Sequence, residues 1–158
     1  MGFWAGLGAT ITGMAIGLLD LIYPLKTSGF GGRYSAGSVS DYPPGSEPKH
    51  FIEGRFWIVR ITPNDGGGDG LLALWHKCPH LGCKVPWRGD FVFQGTKGWF
   101  LCPCHGSTYT KAGVRVFGPA PRSMDTMALD IDSSGGISVN ASKIEQGGTD
   151  NPERAAKA

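Results

Sequence analysis

The sequence has little charge: 18% of its residues are charged and the net charge is +2. So weak a field gives no purchase on a polyanion and excludes a nucleic-acid-binding role resting on charge. Cysteine is scarce too, at four, too few for a disulfide-dense miniprotein. No Lys or Arg precedes the first apolar run, so the basic start of a secretory signal is missing. The glycine-rich turn Asn64-Asp65-Gly66-Gly67-Gly68-Asp69-Gly70 has no helix pattern and no Lys-Ser/Thr behind it, which excludes a phosphate-binding loop. Apart from two similar short loops there is no internal repeat.

What is present begins with Phe3–Leu25, largely apolar and charged only at Asp20. At about 1.5 Å per residue it spans the roughly 30 Å of a hydrocarbon core. Residues 1–25 are therefore expected to be a transmembrane anchor contacting lipid. Trp4 and Tyr23 stand near its ends, where interfacial aromatics concentrate, and Gly2-xxx-Gly6 and Gly13-xxx-Gly17 suit close helix approach. Asp20, one turn from the helix end, reads as an interfacial charge.

Residues 26–48 are rich in Gly, Ser and Pro without apolar period and are expected to be a flexible linker, with its hinge at Ser28-Gly29-Phe30-Gly31-Gly32. From 49 to 142 short β-branched and aromatic runs alternate with turns, among them Phe56–Ile61, Leu71–Trp75, Gly98–Leu101 and Met127–Ile131. This predicts an all-β antiparallel head. Residues 143–158 read as a frayed polar tail.

All four cysteines and two of the four histidines lie in two loops, Cys78-Pro79-His80-Leu81-Gly82-Cys83 and Cys102-Pro103-Cys104-His105-Gly106-Ser107. Cys78 with His80, and Cys102 with His105, have metal-ligand spacing. Two thiolates and two imidazoles suit zinc, or an iron–sulfur centre in which His replaces Cys on one iron. The four cysteines allow one metal site plus one disulfide, two disulfides, or a four-ligand site without a bridge; the placement favours the first. A zinc site leaves Cys83 and Cys104 unexplained, whereas a bond between them would clamp the loops. His50 and His76 read as surface or packing histidines, and Trp57, Trp75, Trp87 and Trp99 as core or loop cover.

Cys78-x-His80-x-x-Cys83 and Cys102-x-Cys104-His105-x-Ser107 resemble the two cluster-binding boxes of Rieske iron–sulfur proteins, most closely those of cytochrome bc and b6f complexes. Gly118-Pro119-Ala120-Pro121 resembles the proline loop of that branch, and the specific match spans about 76–122. The resemblance implies an antiparallel Rieske head with a small cluster-binding subdomain behind one transmembrane helix, and a [2Fe–2S] cluster. Cys78 and Cys102 would hold the inner iron, His80 and His105 the outer, and Cys83 and Cys104 would form a disulfide. Ser107 and Tyr109 match positions whose hydroxyls tune the potential, which places it high in the Rieske range. Leu81 and Pro119 would cover the cluster tip.

By the same resemblance the protein takes one electron from quinol at a cytochrome b subunit, through His105 with His80 beside it. One of those histidines also accepts a proton. The electron then passes to a c-type cytochrome, within a dimeric multi-subunit quinol–cytochrome oxidoreductase. On its own the chain is an electron carrier. The alternatives are the small subunit of an arsenite-oxidase-like molybdoenzyme and a zinc-stabilised membrane-anchored module. Lys26 and Arg33 would place the head in the cytoplasm by the positive-inside rule. A disulfide requires an oxidising compartment and overrules so weak a vote, putting the head on the extracytoplasmic side of an energy-transducing membrane. The missing basic or twin-arginine segment is a departure, and the start is expected to be trimmed or preceded by more chain.

Overall fold

The structure is a computed structural model that describes residues 2–23 and 30–157. The first element is a helix, α1 (Gly2–Ile22), long and apolar enough to cross a membrane and with no buried residue. Its two threonines return their hydroxyls to the backbone, Thr10 to Gly6 O at 3.0 Å and Thr12 to Gly8 O at 2.9 Å, so neither presents an unpaired donor to an apolar surround.

The rest is β structure in two sheets. The larger has the order β1 (Arg33–Ser38), β10 (Gly136–Gly147), β9 (Ser123–Ile131), β4 (Gly70–Trp75), β3 (Phe56–Ile61), β2 (Lys49–Phe51). The smaller has the order β5 (Trp87–Phe93), β6 (Thr96–Leu101), β7 (Thr108–Tyr109), β8 (Arg115–Phe117). All pairings are antiparallel.

Side-chain alternation along β3 and β4 divides the core. Trp57, Val59 and Ile61, with Leu72 and Leu74, pack with Cys78, Val85, Phe100, Cys102, Tyr109 and Met124 beneath the small sheet. Phe56, Ile58, Leu71 and Ala73 point the other way, onto Met127, Ile137, Val139 and Ala141. Both faces of these central strands are covered, which is why they read as continuous apolar runs rather than alternating ones. The ligand cysteines expected from the sequence thus stand on a packed floor, and that floor fixes where the loops between β4 and β5 and between β6 and β7 emerge.

Two sequence expectations are corrected here. The linker does not extend to residue 48. Arg33–Ser38 is an edge strand on β10, with Tyr34 opposite Val139, and Val39–Asp41 forms a 3-10 turn. Gly32 also belongs to the head, since its N donates to Ser142 Oγ at 2.7 Å and Ala141 N donates to its O at 2.8 Å. Ser28 and Gly29 of the expected hinge lie outside the described residues. The tail is not frayed either. β10 runs to Gly147, Asn151 is completely buried, and Leu71 and Ala156 exchange both backbone hydrogen bonds.

Candidate metal centre

The two loops are built alike. In the first, Cys78 N donates to Cys83 O at 2.8 Å and Gly82 N donates to Cys78 O at 2.9 Å. In the second, Cys102 N donates to Ser107 O at 2.8 Å and Gly106 N donates to Cys102 O at 3.0 Å. Each closes through a glycine with positive φ, Gly82 at 84° and Gly106 at 73°, a conformation costly for a residue with a Cβ. Each loop thereby buries its leading cysteine, Cys78 and Cys102 being 2% exposed, and carries its histidine toward the surface. His80 is half-buried and His105 exposed.

The two histidine rings meet edge to face, 4.9 Å between centroids. Cys83 and Cys104 form a disulfide that ties the loops together, the pairing the resemblance implied. Cys102 Sγ lies within 4.8 Å of both bridge sulfurs. Those two sulfurs are committed to each other, so the free thiols are Cys78 and Cys102. Burial pushes the Cys102 thiol up and the neighbouring Cys78 adds to this, while the Cys104 and His105 amides oppose it. A thiol so placed needs a cation to hold it as thiolate, as a metal ligand has. Two buried free thiols and two adjacent imidazoles on the paired loops are donors of the types that could hold an iron–sulfur centre with mixed Cys and His ligation.

Ser107 and Tyr109 both lie at this site and are fully buried. The Tyr109 hydroxyl is 3.2 Å from Cys78 Sγ. Burial first, and the thiol beside it second, push its pKa up, so the phenol keeps its proton and has one to donate. Ser107 Oγ accepts the Ala120 N–H at 3.1 Å, which leaves the serine hydroxyl hydrogen to point elsewhere. The proline loop Gly118–Pro121 lies directly on the second box. Gly118 has φ of 96°, and a Cβ there would stand 2.4 Å from Ser107 Cα, so no other residue allows this approach. Leu81 is 73% exposed, and Pro119, like His105, is exposed.

His50 and His76 are not part of the centre. His50 Nε2 is 3.1 Å from His76 Nδ1, and His50 stacks on Trp57 at 4.2 Å. Trp57 donates its indole N–H to Val85 O at 3.1 Å and packs edge-on to Phe100, as does Trp87, the cover role expected of them. Two charged residues at the site escaped the sequence reading. Arg122 and Asp125 form a two-pronged ion pair, Nε to Oδ1 at 3.0 Å and Nη2 to Oδ2 at 2.9 Å. The only trace in the sequence is opposite charges three apart just after the proline loop.

The comparisons with known proteins show the family. Residues 32–128 match the family model described as a Rieske [2Fe-2S] domain. The chain is 32% identical over 157 residues to the cytochrome b6-f complex iron-sulfur subunit of Prochlorococcus marinus (strain MIT 9215), covering 90% of this chain and 85% of that one. It is 30% identical over 143 residues to the subunit of the same name from Synechococcus sp. (strain RCC307), covering 78% and 74%. Among solved structures, the cyanobacterial plasma membrane Rieske protein PetC3 from Synechocystis PCC 6803 is 26% identical, with a TM-score of 0.47 over 67% of this chain and 97% of that one. The cofactor of the matching domain is a [2Fe–2S] cluster, which sets the zinc reading aside. With more than half its length matched, this chain belongs to the Rieske [2Fe–2S] family.

Proposed function

We propose that Cys78 and Cys102 hold the inner iron of the cluster and His80 and His105 the outer iron, and that the protein carries single electrons from quinol to a c-type cytochrome. The observation that carries this reading is the gradient across the site. The thiols of Cys78 and Cys102 are buried, while His105, Leu81 and Pro119 are exposed. When bound, the cluster supplies a one-electron acceptor and lowers the pKa of its imidazole ligands.

The chain's own residues do the rest. The ring nitrogen of His105 that faces outward receives a hydrogen bond from the quinol hydroxyl and takes up its proton. His80, in edge contact, holds that ring in place. Leu81 and Pro119 seat the tip in an apolar socket on a cytochrome b subunit and exclude water while the proton moves. Ser107 and Tyr109 donate hydrogen bonds toward sulfur and favour the reduced state. The relatives' name, cytochrome b6-f complex iron-sulfur subunit, supports assembly with cytochromes in a dimeric multi-subunit complex. Helix α1 serves as the membrane anchor, and the disulfide supports a head on the extracytoplasmic side.

Purification of the full chain in mild detergent tests this directly. Co-purification with b-type and c-type haem is expected, together with quinol-dependent cytochrome reduction. Leu81→Asp is expected to cut that turnover at least tenfold while the paramagnetic resonance spectrum of the reduced cluster stays unchanged. A molybdenum subunit in place of the haem proteins, or full turnover with Asp at 81, would refute the reading.

A further inference from the structure

A cavity of about 270 Å³ opens beside the first loop, lined by Cys78, His80, Lys77, Arg122 and Asp125 among others. Its charges are two cations and one anion. Lys77 is drawn aside over the Trp75 ring, Nζ 5.1 Å from the centroid. Asp125 is spoken for. Its side chain is 5% exposed, both its oxygens take Arg122, and Oδ1 also accepts the Gly147 N–H at 3.0 Å. A carboxylate so buried, with three donors, is held rigidly, and it fixes the guanidinium of Arg122, a residue that lines the same cavity as Cys78 and His80. Arg122 follows Pro121 immediately, so the proline loop that rests on Ser107 sets its backbone position.

Reduction adds one negative charge to a centre held by Cys78 and His80. A fixed cation across a partly desolvated cavity favours the state with that extra electron, and its field is felt more strongly than through bulk water. We propose that Arg122 is a potential-setting residue of this protein. Its charge offsets the Asp125 carboxylate that lines the same cavity, and without it that anion would stand uncompensated near the centre and lower the electron affinity of the cluster. The inference rests on the ligand set proposed above.

The test is a redox titration of the wild-type chain and of Arg122→Gln, Arg122→Met and Arg122→Lys. The resonance spectrum of the reduced wild type reads the ligand set by itself, while the midpoint differences read Arg122. Met keeps the aliphatic stem and Gln the polarity, so the result does not hang on one variant folding. Gln and Met are each expected to lower the equilibrium constant for one-electron reduction about tenfold, roughly 59 mV. Lys keeps the charge but loses the two-pronged fork, and is expected to stay within about twofold of wild type. A Gln or Met variant within twofold of wild type would overturn the proposal. So would a Lys variant that falls as far as Gln, because the geometry of the fork and not the charge would then be what matters.

Discussion

The hydroxyl of Tyr109 stands 3.2 Å from the sulfur of Cys78, a buried hydroxyl on the buried cysteine proposed as a ligand. Removing it removes a hydrogen bond that is stronger when the sulfur carries more charge. Tyr109→Phe is therefore expected to lower the midpoint potential. A hydrogen bond to a charged group contributes about 1.5 kcal/mol, which for one electron is roughly 60 mV. Ser107→Ala should act in the same direction. Titration monitored by circular dichroism or paramagnetic resonance checks both, and an unchanged midpoint in either variant refutes that residue's role.

The bridge between Cys83 and Cys104 closes a loop with a sequence separation of 21. Loop-closure entropy for that span is about 3 kcal/mol. Urea unfolding of the Cys83→Ala, Cys104→Ala double variant is expected to show a loss of that order. The loops would also be freed from each other, so the edge contact of His80 and His105 should loosen and the cluster should be lost faster on warming.

Gly118 lets the proline loop close on the second box. Gly118→Ala puts a methyl 2.4 Å from Ser107 Cα at φ of 96°, and backbone on both sides has to move. The expected cost is about 1–3 kcal/mol of stability. A changed resonance line shape is expected with it, because the Ala120 hydrogen bond to Ser107 is displaced. Thermal unfolding and the reduced spectrum together check this.

The paired histidines give a pH dependence. Burial first, then His50, Lys84 and Arg55, push His76 down to about 4, and burial and Lys84 lower His50. The folded state thus refuses protons that the unfolded chain accepts near pH 6.5. Stability is full above that pH, falls as pH drops toward 4, and then levels, since both states are protonated. The urea midpoint of the wild type should drop between pH 7.5 and 5. His76→Gln should drop less, and equal drops would refute the assignment.

The centre was legible in the sequence because its residues are local. Each box contains a Cys–His pair proposed as ligands and one bridging cysteine within six residues, and the loop closes on its own backbone. The boundaries were less legible. Arg33–Ser38 buries only Ala36, so its side chains carry no strand period, and what makes it a strand is backbone pairing with β10, far away in the sequence. The polar tail hid Asn151 in the same way. Its amide donates to Ala112 O at 3.3 Å and Met124 O at 2.9 Å, satisfying carbonyls that composition cannot reveal. Arg122 and Asp125 were missed because a cavity, unlike a motif, has no spacing.

The proposed ligand set is tested most directly by pulsed paramagnetic resonance on the dithionite-reduced protein, grown with nitrogen-15 histidine. Two strongly coupled histidine nitrogens are expected. His50→Gln and His76→Gln should leave both couplings in place, and Cys78→Ser or Cys102→Ser should abolish the signal. A cluster spectrum without histidine nitrogen coupling, or one unaffected by loss of Cys78, would contradict Cys78, His80, Cys102 and His105 as its ligands.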